Sequence, residues 1–124
     1  MKLLIGFVVG LIFGIYLLDN KNNCNLNQII KKLVRQAARW STAAAQDENS
    51  MIAVLHANYG AGYLWALKDI ATDKQIEIAT GLNAKKFETE IVKVQDQATQ
   101  KMAGLCPSYA PKPTYLTRVG GEGV

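Results

Sequence analysis

Histidine and cysteine are the residue types best suited to nucleophilic chemistry, proton transfer and soft-metal binding near neutral pH, and this chain has one histidine and two cysteines. His56 has no serine or cysteine beside it at a motif spacing, so a catalytic triad finds no support, and a lone histidine in an apolar helix is usually a satisfied core residue. Together with scattered carboxylates, these three side chains form no recognised metal-ligand spacing. The sequence therefore predicts that the protein is not an enzyme, holds no metal or cofactor and has no small-molecule substrate.

The two cysteines leave the redox environment open. Cys24 and Cys106 lie far apart in the sequence, without a Cys-x-x-Cys motif and without the cysteine density of a disulfide scaffold. They are either ordinary reduced or buried thiols, or they form a bridge with each other in an oxidising compartment.

Nucleic-acid binding is the second kind of chemistry that the sequence raises. Residues 75–87 resemble the turn of a helix-turn-helix unit, which has a glycine in the turn, a residue packing beneath it and one core residue on each helix. The matching positions here are Gly81, Leu82, Ile76 and Phe87. Glu77 departs from the pattern because a small alanine is usual there, and Glu88 and Glu90 on the candidate reading helix would repel phosphates. A DNA-binding or regulatory role is therefore kept as the alternative, and nucleic acid is not the expected partner.

Positive charge is concentrated in one part of the chain. The formal net charge is +4, and residues 19–46 supply +4 by themselves, from five Lys and Arg less the one anion, Asp19. Lys31, Arg35 and Arg39 recur every fourth residue and so share one face of a helix. This basic face suits an anionic lipid surface or an acidic partner, or it is the solvated face of a core helix.

An uncharged apolar run from Leu3 to Leu18 predicts a transmembrane anchor over residues 1–18. As a helix the run rises about 24 Å, a little less than the ~30 Å hydrocarbon core, and Lys2 can snorkel at one end. A cleaved signal peptide is the competing interpretation, but the residues after Leu18 lack a small-residue cleavage site. The excess of Lys and Arg after the run predicts that the body of the protein lies on the cytoplasmic or interior side of its membrane.

Three glycines recur at every fourth residue within the apolar run, namely Gly6, Gly10 and Gly14. This spacing places them on one stripe of the helix and permits close approach of another helix, from a partner or from a second copy of the chain. The alternative is that glycine is simply common in membrane helices.

The rest of the chain predicts a polar hinge at residues 19–25 and a domain of about four helices at residues 26–106. The first of these helices has apolar or small residues at heptad spacing, at Leu26, Ile30, Leu33, Ala37, Trp40 and Ala44. One side of this helix is therefore expected to face the core of the domain.

A polar break at residues 47–50 ends this helix and offers caps for the next one, which an apolar, alanine-rich stretch at residues 51–71 would form. The length and the alanine content of the stretch favour a central buried helix with a close-contact glycine pair, Gly60 and Gly62. A second membrane span and a hairpin that turns at residues 58–62 are the alternatives.

Capping signals predict two further helices. Thr72 and Gln75 form a capping-box pattern that opens a short helix, and Gly81 closes it. Asn83 caps a longer helix that ends before Pro107. The apolar positions of this last helix are Phe87, Ile91, Val94, Ala98, Met102 and Leu105.

All three prolines fall in residues 107–124, with Tyr109 and Tyr115 between and around them. This composition predicts an extended tail that is either disordered or ordered only against a neighbour, with the two tyrosines as its contacts.

Between residues 33 and 111 the sequence is similar to short proteins of unassigned function from large aquatic viruses, algal and cyanobacterial. The likeness is carried by Arg-Gln-Ala-Ala-Arg-Trp-Ser at 35–41, His-Ala-Asn-Tyr-Gly-Ala-Gly-Tyr-Leu-Trp-Ala-Leu-Lys-Asp-Ile-Ala at 56–71 and Cys-Pro-Ser-Tyr-Ala-Pro at 106–111. The likeness covers about two thirds of the chain. It implies a viral membrane or virion component and brings no catalytic residues.

These patterns together predict an all-α protein with a single N-terminal transmembrane helix, a small bundle of about four helices and an extended C-terminal tail. The expected function is that of a membrane-anchored structural or interaction protein. Its expected partners are the lipid bilayer and either other proteins of an assembly or a second copy of itself.

Overall fold

The structure, a computed structural model, describes the backbone of residues 2–109 and the side chains of residues 6–108. Over these residues the fold is all-α and contains no strand, which confirms the all-α part of the predicted fold class. Four helices follow one another as α1 (Lys2–Gln46), α2 (Ser50–Ile70), α3 (Asp73–Thr80) and α4 (Ala84–Leu105). A 3₁₀ turn at Pro107–Tyr109 replaces the extended backbone predicted for the start of the tail. Tyr115 and the side chain of Tyr109, the two predicted tail contacts, lie outside the described residues.

The first helix is uninterrupted for 45 residues, which corresponds to a length of about 68 Å. The polar hinge predicted at residues 19–25 does not occur, because these residues continue the helix. The segment contains no glycine or proline to break the helix, and its polar side chains remain in solvent. Asn23 Nδ2 also donates to Asp19 Oδ2 one turn earlier, at 3.5 Å. The apolar N-terminal run and the first helix of the bundle are therefore parts of one continuous helix.

Local capping sets the other helix boundaries as the sequence predicts. Asn49 Oδ1 accepts from the backbone N–H groups of Met51 and Ile52 and so begins α2. Thr72 and Gln75 form the reciprocal capping box that begins α3.

The turn between α3 and α4 depends on a single glycine. Gly81 has a φ of +73°, a left-handed conformation that only glycine adopts without strain. Asn83 Oδ1 then accepts from the Lys86 N–H at 2.8 Å and begins α4. Both the closing glycine and the opening asparagine were predicted from the sequence.

The bundle consists of the second half of α1, α2 and α4, with α3 closing one end. Three buried clusters follow one another along it, and their members fix the helix directions. The clusters are Ile30, Val34, Leu67, Ile76, Ala79 and Ala84, then Ala37, Leu64 and Ile91, then Ala44, Ala53, Ala57 and Ala98. Residue numbers rise together along α1 and α4 and fall along α2, so α2 is antiparallel to both. The predicted heptad stripe of α1 faces this core.

Small residues bring α1 and α2 close together at the middle of the bundle. A Cβ built on Gly60 would lie 2.4 Å from Ser41 Oγ, 3.1 Å from Ser41 N and 3.2 Å from Ala37 O. Of the predicted close-contact glycine pair, only Gly60 makes such a contact, because a Cβ on Gly62 would meet nothing within 4 Å. The Ser41 hydroxyl is buried at this contact without a hydrogen-bond partner.

The central helix α2 is continuous, so the hairpin alternative for residues 58–62 is wrong. It is also not buried on all sides, since only the side that carries Ala53, Ala57, Gly60, Leu64 and Leu67 faces the core. The opposite side presents large apolar residues to solvent.

Among the residues described, no helix combines the length and the apolar character required to cross a membrane. The transmembrane span expected for residues 1–18 stays a prediction.

Candidate functional site

The N-terminal part of α1 forms an exposed apolar segment that stands clear of the bundle. From residue 6 to residue 25 every residue except Gly14 is exposed. The exposed fractions of Phe7, Phe13 and Leu18 are 70%, 61% and 66%, although soluble proteins rarely leave a long apolar surface uncovered. The bundle of this chain does not cover the segment, and such an exposed apolar surface is typical of a contact surface.

The predicted glycine stripe lies open on this segment. A Cβ added at Gly6, Gly10 or Gly14 would meet nothing within 4 Å. The three glycines line a shallow apolar groove of about 440 Å³, together with Phe7, Leu11, Ile15 and Leu18. The geometry leaves room for a second helix along the stripe.

The predicted basic face lies on the outer side of α1, opposite the residues that enter the core. Lys31, Arg35 and Arg39 are all exposed, and in the described part of the chain none of them forms a salt bridge. The three follow at steps of about 6 Å along the helix axis. The Arg39 guanidinium carbon lies 5.6 Å from the centroid of the Trp40 ring, within cation–π range. This face therefore presents a row of positive charges to solvent.

A second exposed apolar surface lies on α2, and we call it the outer face of α2. It is formed by Ile52, Leu55, Tyr59, Tyr63 and Ile70. Their exposed fractions lie between 36% and 48%, and the spacing of three, four, four and seven residues keeps them on one side of the helix. Residues 51–67 contain no Lys, Arg, Asp or Glu, so the surface is almost uncharged along its length.

An aromatic and ionisable cluster joins the end of α1 to α2 beside this face. The Trp40 ring lies 5.0 Å from the His56 ring and 5.2 Å from the Tyr59 ring, which it meets edge-on. His56 Nδ1 and Asp47 Oδ2 lie 2.7 Å apart and share a hydrogen bond. His56 is satisfied, as predicted, but it lies near the surface with 24% of its side chain exposed.

The His56–Asp47 pair resembles the histidine and carboxylate of a catalytic triad, but the nucleophile of such a triad is missing among the described residues. In the described hydrogen-bond network, Asp47 is the one partner of the imidazole, and no hydroxyl or thiol completes a triad. Among the described residues there is also no group of three His, Cys, Asp or Glu side chains able to hold a metal ion. Cys24 is exposed, Cys106 is partly buried, and both thiols are free. What the His56 pair does is fasten the loop between α1 and α2 to the body of α2.

A charged contact ties α2 to α4. Lys68 Nζ lies 2.5 Å from Glu88 Oε2. Asp73 Oδ1 lies 3.9 Å from Lys68 Nζ, and Lys85 Nζ lies 3.7 Å from Glu88 Oε2. The hydrogen bond from Lys68 lowers the pKa of the Glu88 carboxyl below its ordinary value of 4.5, and the bond to Glu88 raises the pKa of Lys68 above 10.5. The pair therefore stabilises the packing of α2 on α4 at neutral pH.

The resemblance to a helix-turn-helix unit holds at some positions and fails at others. Ile76 is buried and Phe87 is partly buried, as expected, but Leu82 is 43% exposed and does not pack beneath the turn. Glu77 Oε1 accepts from the Ala84 N–H at 3.3 Å, so this residue caps α4 instead of making room for it. Glu88 pairs with Lys68 on α2, so this side chain of α4 makes a contact within the bundle.

No protein-family model, no curated protein and no solved structure matches this chain.

The structure brings together residues that the sequence patterns had treated separately. Asp47 and His56 belong to different predicted segments, and Lys68 and Glu88 are separated by the whole of α3. A sequence signal for the first pair is absent, because its contact depends on the direction in which the loop after α1 turns. The second pair could have been suggested only by assuming the antiparallel register of α2 and α4.

Proposed function

We propose that this protein is a membrane-anchored interaction protein, in which the apolar N-terminal part of α1 inserts into a lipid bilayer and the bundle presents contact surfaces outside it. The observation that carries the proposal is the exposure of this segment. Its side chains from Phe7 to Leu18 contact no other part of the described chain closely enough to be buried. A surface of this kind is stable in water only if something apolar covers it.

The dimensions of the segment suit insertion into acyl chains. The uncharged run from Leu3 to Leu18 contains 16 residues and rises about 24 Å, which reaches through most of a ~30 Å hydrocarbon core. Tyr16 lies near the end of the run, where an interfacial aromatic residue is stabilising, and Lys21 follows at the level of the headgroups. The continuous helix then carries the bundle away from the membrane surface.

The remaining surfaces favour a contact role for the bundle. The basic face of α1 and the outer face of α2 are both exposed, and Trp40 joins them, since its ring lies 5.6 Å from the Arg39 guanidinium carbon and 5.2 Å from the Tyr59 ring. A minor component of a viral membrane or virion is the version of this role that the sequence resemblance implies. In that setting the bundle would lie on the interior side, where its basic face meets an acidic partner.

Flotation with lipid vesicles tests the anchor. The full-length chain is mixed with vesicles of phosphatidylcholine and phosphatidylglycerol and centrifuged through a density gradient. Replacing Leu11, near the middle of the run, with Lys should cost about 2.5–3.5 kcal/mol of insertion free energy, a loss of partitioning of about 100-fold. The matched control is Ile78→Lys on α3, which adds the same charge to a residue that is 70% exposed. Flotation of wild type and Ile78→Lys but not of Leu11→Lys supports the proposal, whereas equal flotation of all three, or of none, contradicts it.

A further inference from the structure

A continuous groove runs between α1 and α4. Its larger part has a volume of about 360 Å³ and its continuation toward the end of α1 has about 200 Å³, and the two parts share Ala45 and Val94. Along α4 the groove reaches from Phe87 to Lys101, a rise of about 21 Å or about four helical turns. Its floor is apolar and is formed by Ala38, Ala45, Phe87, Ile91 and Val94. A surface of this shape and character suits a helix that lies along it.

The two helices that form the groove run parallel and in register. The residues that meet in their three buried clusters are Ile30 with Ala84, Ala37 with Ile91, and Ala44 with Ala98. Both helices therefore advance by the same seven residues from one cluster to the next. Arg39 on α1 and Lys93 on α4 each come two residues after the middle pair, so these two cations lie at the same level of the bundle.

The α1 edge of the groove is basic. Lys31 and Arg35 lie on the same stripe of α1 as Ala38 and Thr42, which line the groove, at spacings of four, three and four residues. Arg39 follows one turn after Arg35. All three cations are exposed, and none of them forms a salt bridge with another described residue. Positive charge therefore borders the apolar floor on this side.

The α4 edge of the groove is also mainly basic. Lys86 and Lys93 lie one turn before and after Glu90, which lines the groove, and Lys101 lines its far end. The three lysines are exposed and have no salt bridge within residues 6–108. Across the groove, Lys93 lies level with Arg39. Like charges that face each other in this way repel, and an anionic group placed between them would replace the repulsion with attraction.

We propose that this groove binds an acidic amphipathic helix of a partner protein, which lies along α1 and α4 and completes a four-helix bundle. The inference rests on the contact role in the proposed function and is independent of the membrane anchor. Apolar residues on one side of the partner helix would cover the floor, and its Asp and Glu side chains would pair with the cations of both edges. A helix of about 14 residues matches the length of the groove.

Charge decides between this partner and other occupants of the groove. Residues 110–124 of the chain carry Lys112 and Arg118 against one acid, Glu122, so they would add positive charge to a basic groove. The outer face of α2 from a second copy is almost uncharged and would leave the cations without partners. A nucleic acid would neutralise the cations, but its phosphates would lie against an apolar floor. An acidic amphipathic helix suits both the charge and the floor.

Fluorescence anisotropy with the full-length chain in neutral detergent micelles tests the groove. The probe is a labelled peptide of about 18 residues, with Leu and Ala on one side of its helix and Glu on the other. Its control is a peptide of the same composition in scrambled order, and the signal from protein-free micelles is subtracted for both. At about 150 mM salt, we expect the amphipathic peptide to bind with a Kd below about 100 μM and the scrambled peptide to bind at least about tenfold more weakly.

Two pairs of matched variants locate the binding. Lys93→Glu should weaken binding about three- to tenfold, whereas Lys74→Glu, at an exposed lysine of α3, should leave it unchanged. Thr42→Trp fills the groove and should weaken binding at least about tenfold, whereas Ile78→Trp adds the same ring to α3 without effect. Thr42 and Ile78 are both exposed, so neither substitution disturbs the core.

Several results would overturn the proposal. These are equal binding of the two peptides, binding of neither, or equal affinities within either pair of variants. A labelled single-stranded DNA that binds more tightly than the amphipathic peptide and is released by Lys93→Glu would also overturn it, because the edges of the groove would then serve a nucleic acid.

Flotation with lipid vesicles separates this inference from the membrane anchor. A chain that floats and does not bind the amphipathic peptide overturns the groove proposal alone. A chain that binds the peptide without floating supports the groove and overturns the anchor, and a chain that does neither overturns both.

Discussion

Gly60 and Gly62 provide a matched pair of substitutions that tests how closely α1 and α2 approach each other. The two glycines lie in the same helix, two residues apart, and both gain about 0.5–1 kcal/mol of helix propensity when they are replaced by alanine. At Gly62 nothing opposes this gain, because the new methyl group meets no atom within 4 Å. Gly62→Ala should therefore stabilise the protein by about 0.5–1 kcal/mol.

At Gly60 the same methyl group collides with α1. It would lie 2.4 Å from Ser41 Oγ, and although that hydroxyl can rotate, the Ser41 nitrogen at 3.1 Å and the Ala37 carbonyl oxygen at 3.2 Å belong to the backbone. The helices must then move apart by a few tenths of an ångström, and overpacking of this kind costs about 1–3 kcal/mol. After the gain in propensity, the stability of Gly60→Ala should fall below that of Gly62→Ala by about 1–3 kcal/mol.

The assay is urea and thermal unfolding of the full-length chain in detergent micelles, followed by the fluorescence of Trp40 and Trp65 and by circular dichroism. For a bundle of this size, 1 kcal/mol shifts the unfolding temperature by about 4–8 °C, so the two variants should differ clearly. Adding Ser41→Ala to Gly60→Ala should recover part of the loss, since it removes the nearest atom and a buried hydroxyl without a partner. Equal unfolding temperatures for Gly60→Ala and Gly62→Ala would refute the close contact of α1 and α2.

Three further predictions concern a charge pair, a helix cap and the surface of α4. The Glu88 contribution to stability is present above about pH 4.5 and is lost as the pH falls through its lowered pKa, while the Lys68 contribution is lost only as the pH rises through a value above 10.5. Glu88→Gln should therefore have a lower free energy of unfolding than wild type at pH 7. Unfolding curves at pH 7 and pH 3 should show that the difference in free energy between the two proteins is smaller at pH 3. An equal difference at both pH values would contradict a stabilising Lys68–Glu88 pair. Asn49→Ala removes the cap of α2 and should reduce the free energy of unfolding by about 1 kcal/mol in urea titrations. Fluorescence anisotropy should show no salt-sensitive binding of the protein to duplex DNA. Salt-sensitive binding that is abolished by Lys85→Glu and Lys86→Glu would instead favour the helix-turn-helix alternative.

The sequence predicted the helices well because their signals are local. The caps at Asn49, Thr72 and Asn83 and the left-handed glycine at Gly81 each act within a few residues, so residue identity alone indicates them. The heptad stripe of α1 was predictable for the same reason. The hinge predicted at residues 19–25 is absent because a polar composition alone does not end a helix, and asparagine and lysine in solvent are compatible with one when no glycine or proline is present.

The contacts between helices were harder to predict. Both Gly60 and Gly62 looked like close-contact residues, and only the rotation of α2 against α1 decides that Gly60 meets Ser41 while Gly62 faces solvent. The same rotation decides that Tyr59 and Tyr63 are exposed, whereas the alanine content of the stretch predicts a central buried helix. The Asp47–His56 and Lys68–Glu88 pairs depend on the register of packed helices, which no pattern within one helix contains.

The measurement that most directly tests the membrane anchor is a depth scan along α1. A single spin label is placed in turn at Val9, Phe13, Leu17 and Lys21 of the full-length chain, with both native cysteines replaced by serine, in vesicles of phosphatidylcholine and phosphatidylglycerol. Insertion predicts that the first three labels are accessible to oxygen and shielded from a water-soluble nickel complex, and that the label at Lys21 reports the headgroup region. Labels that are equally accessible to the nickel complex at all four positions would show that the apolar part of α1 remains in water and would contradict the proposed function.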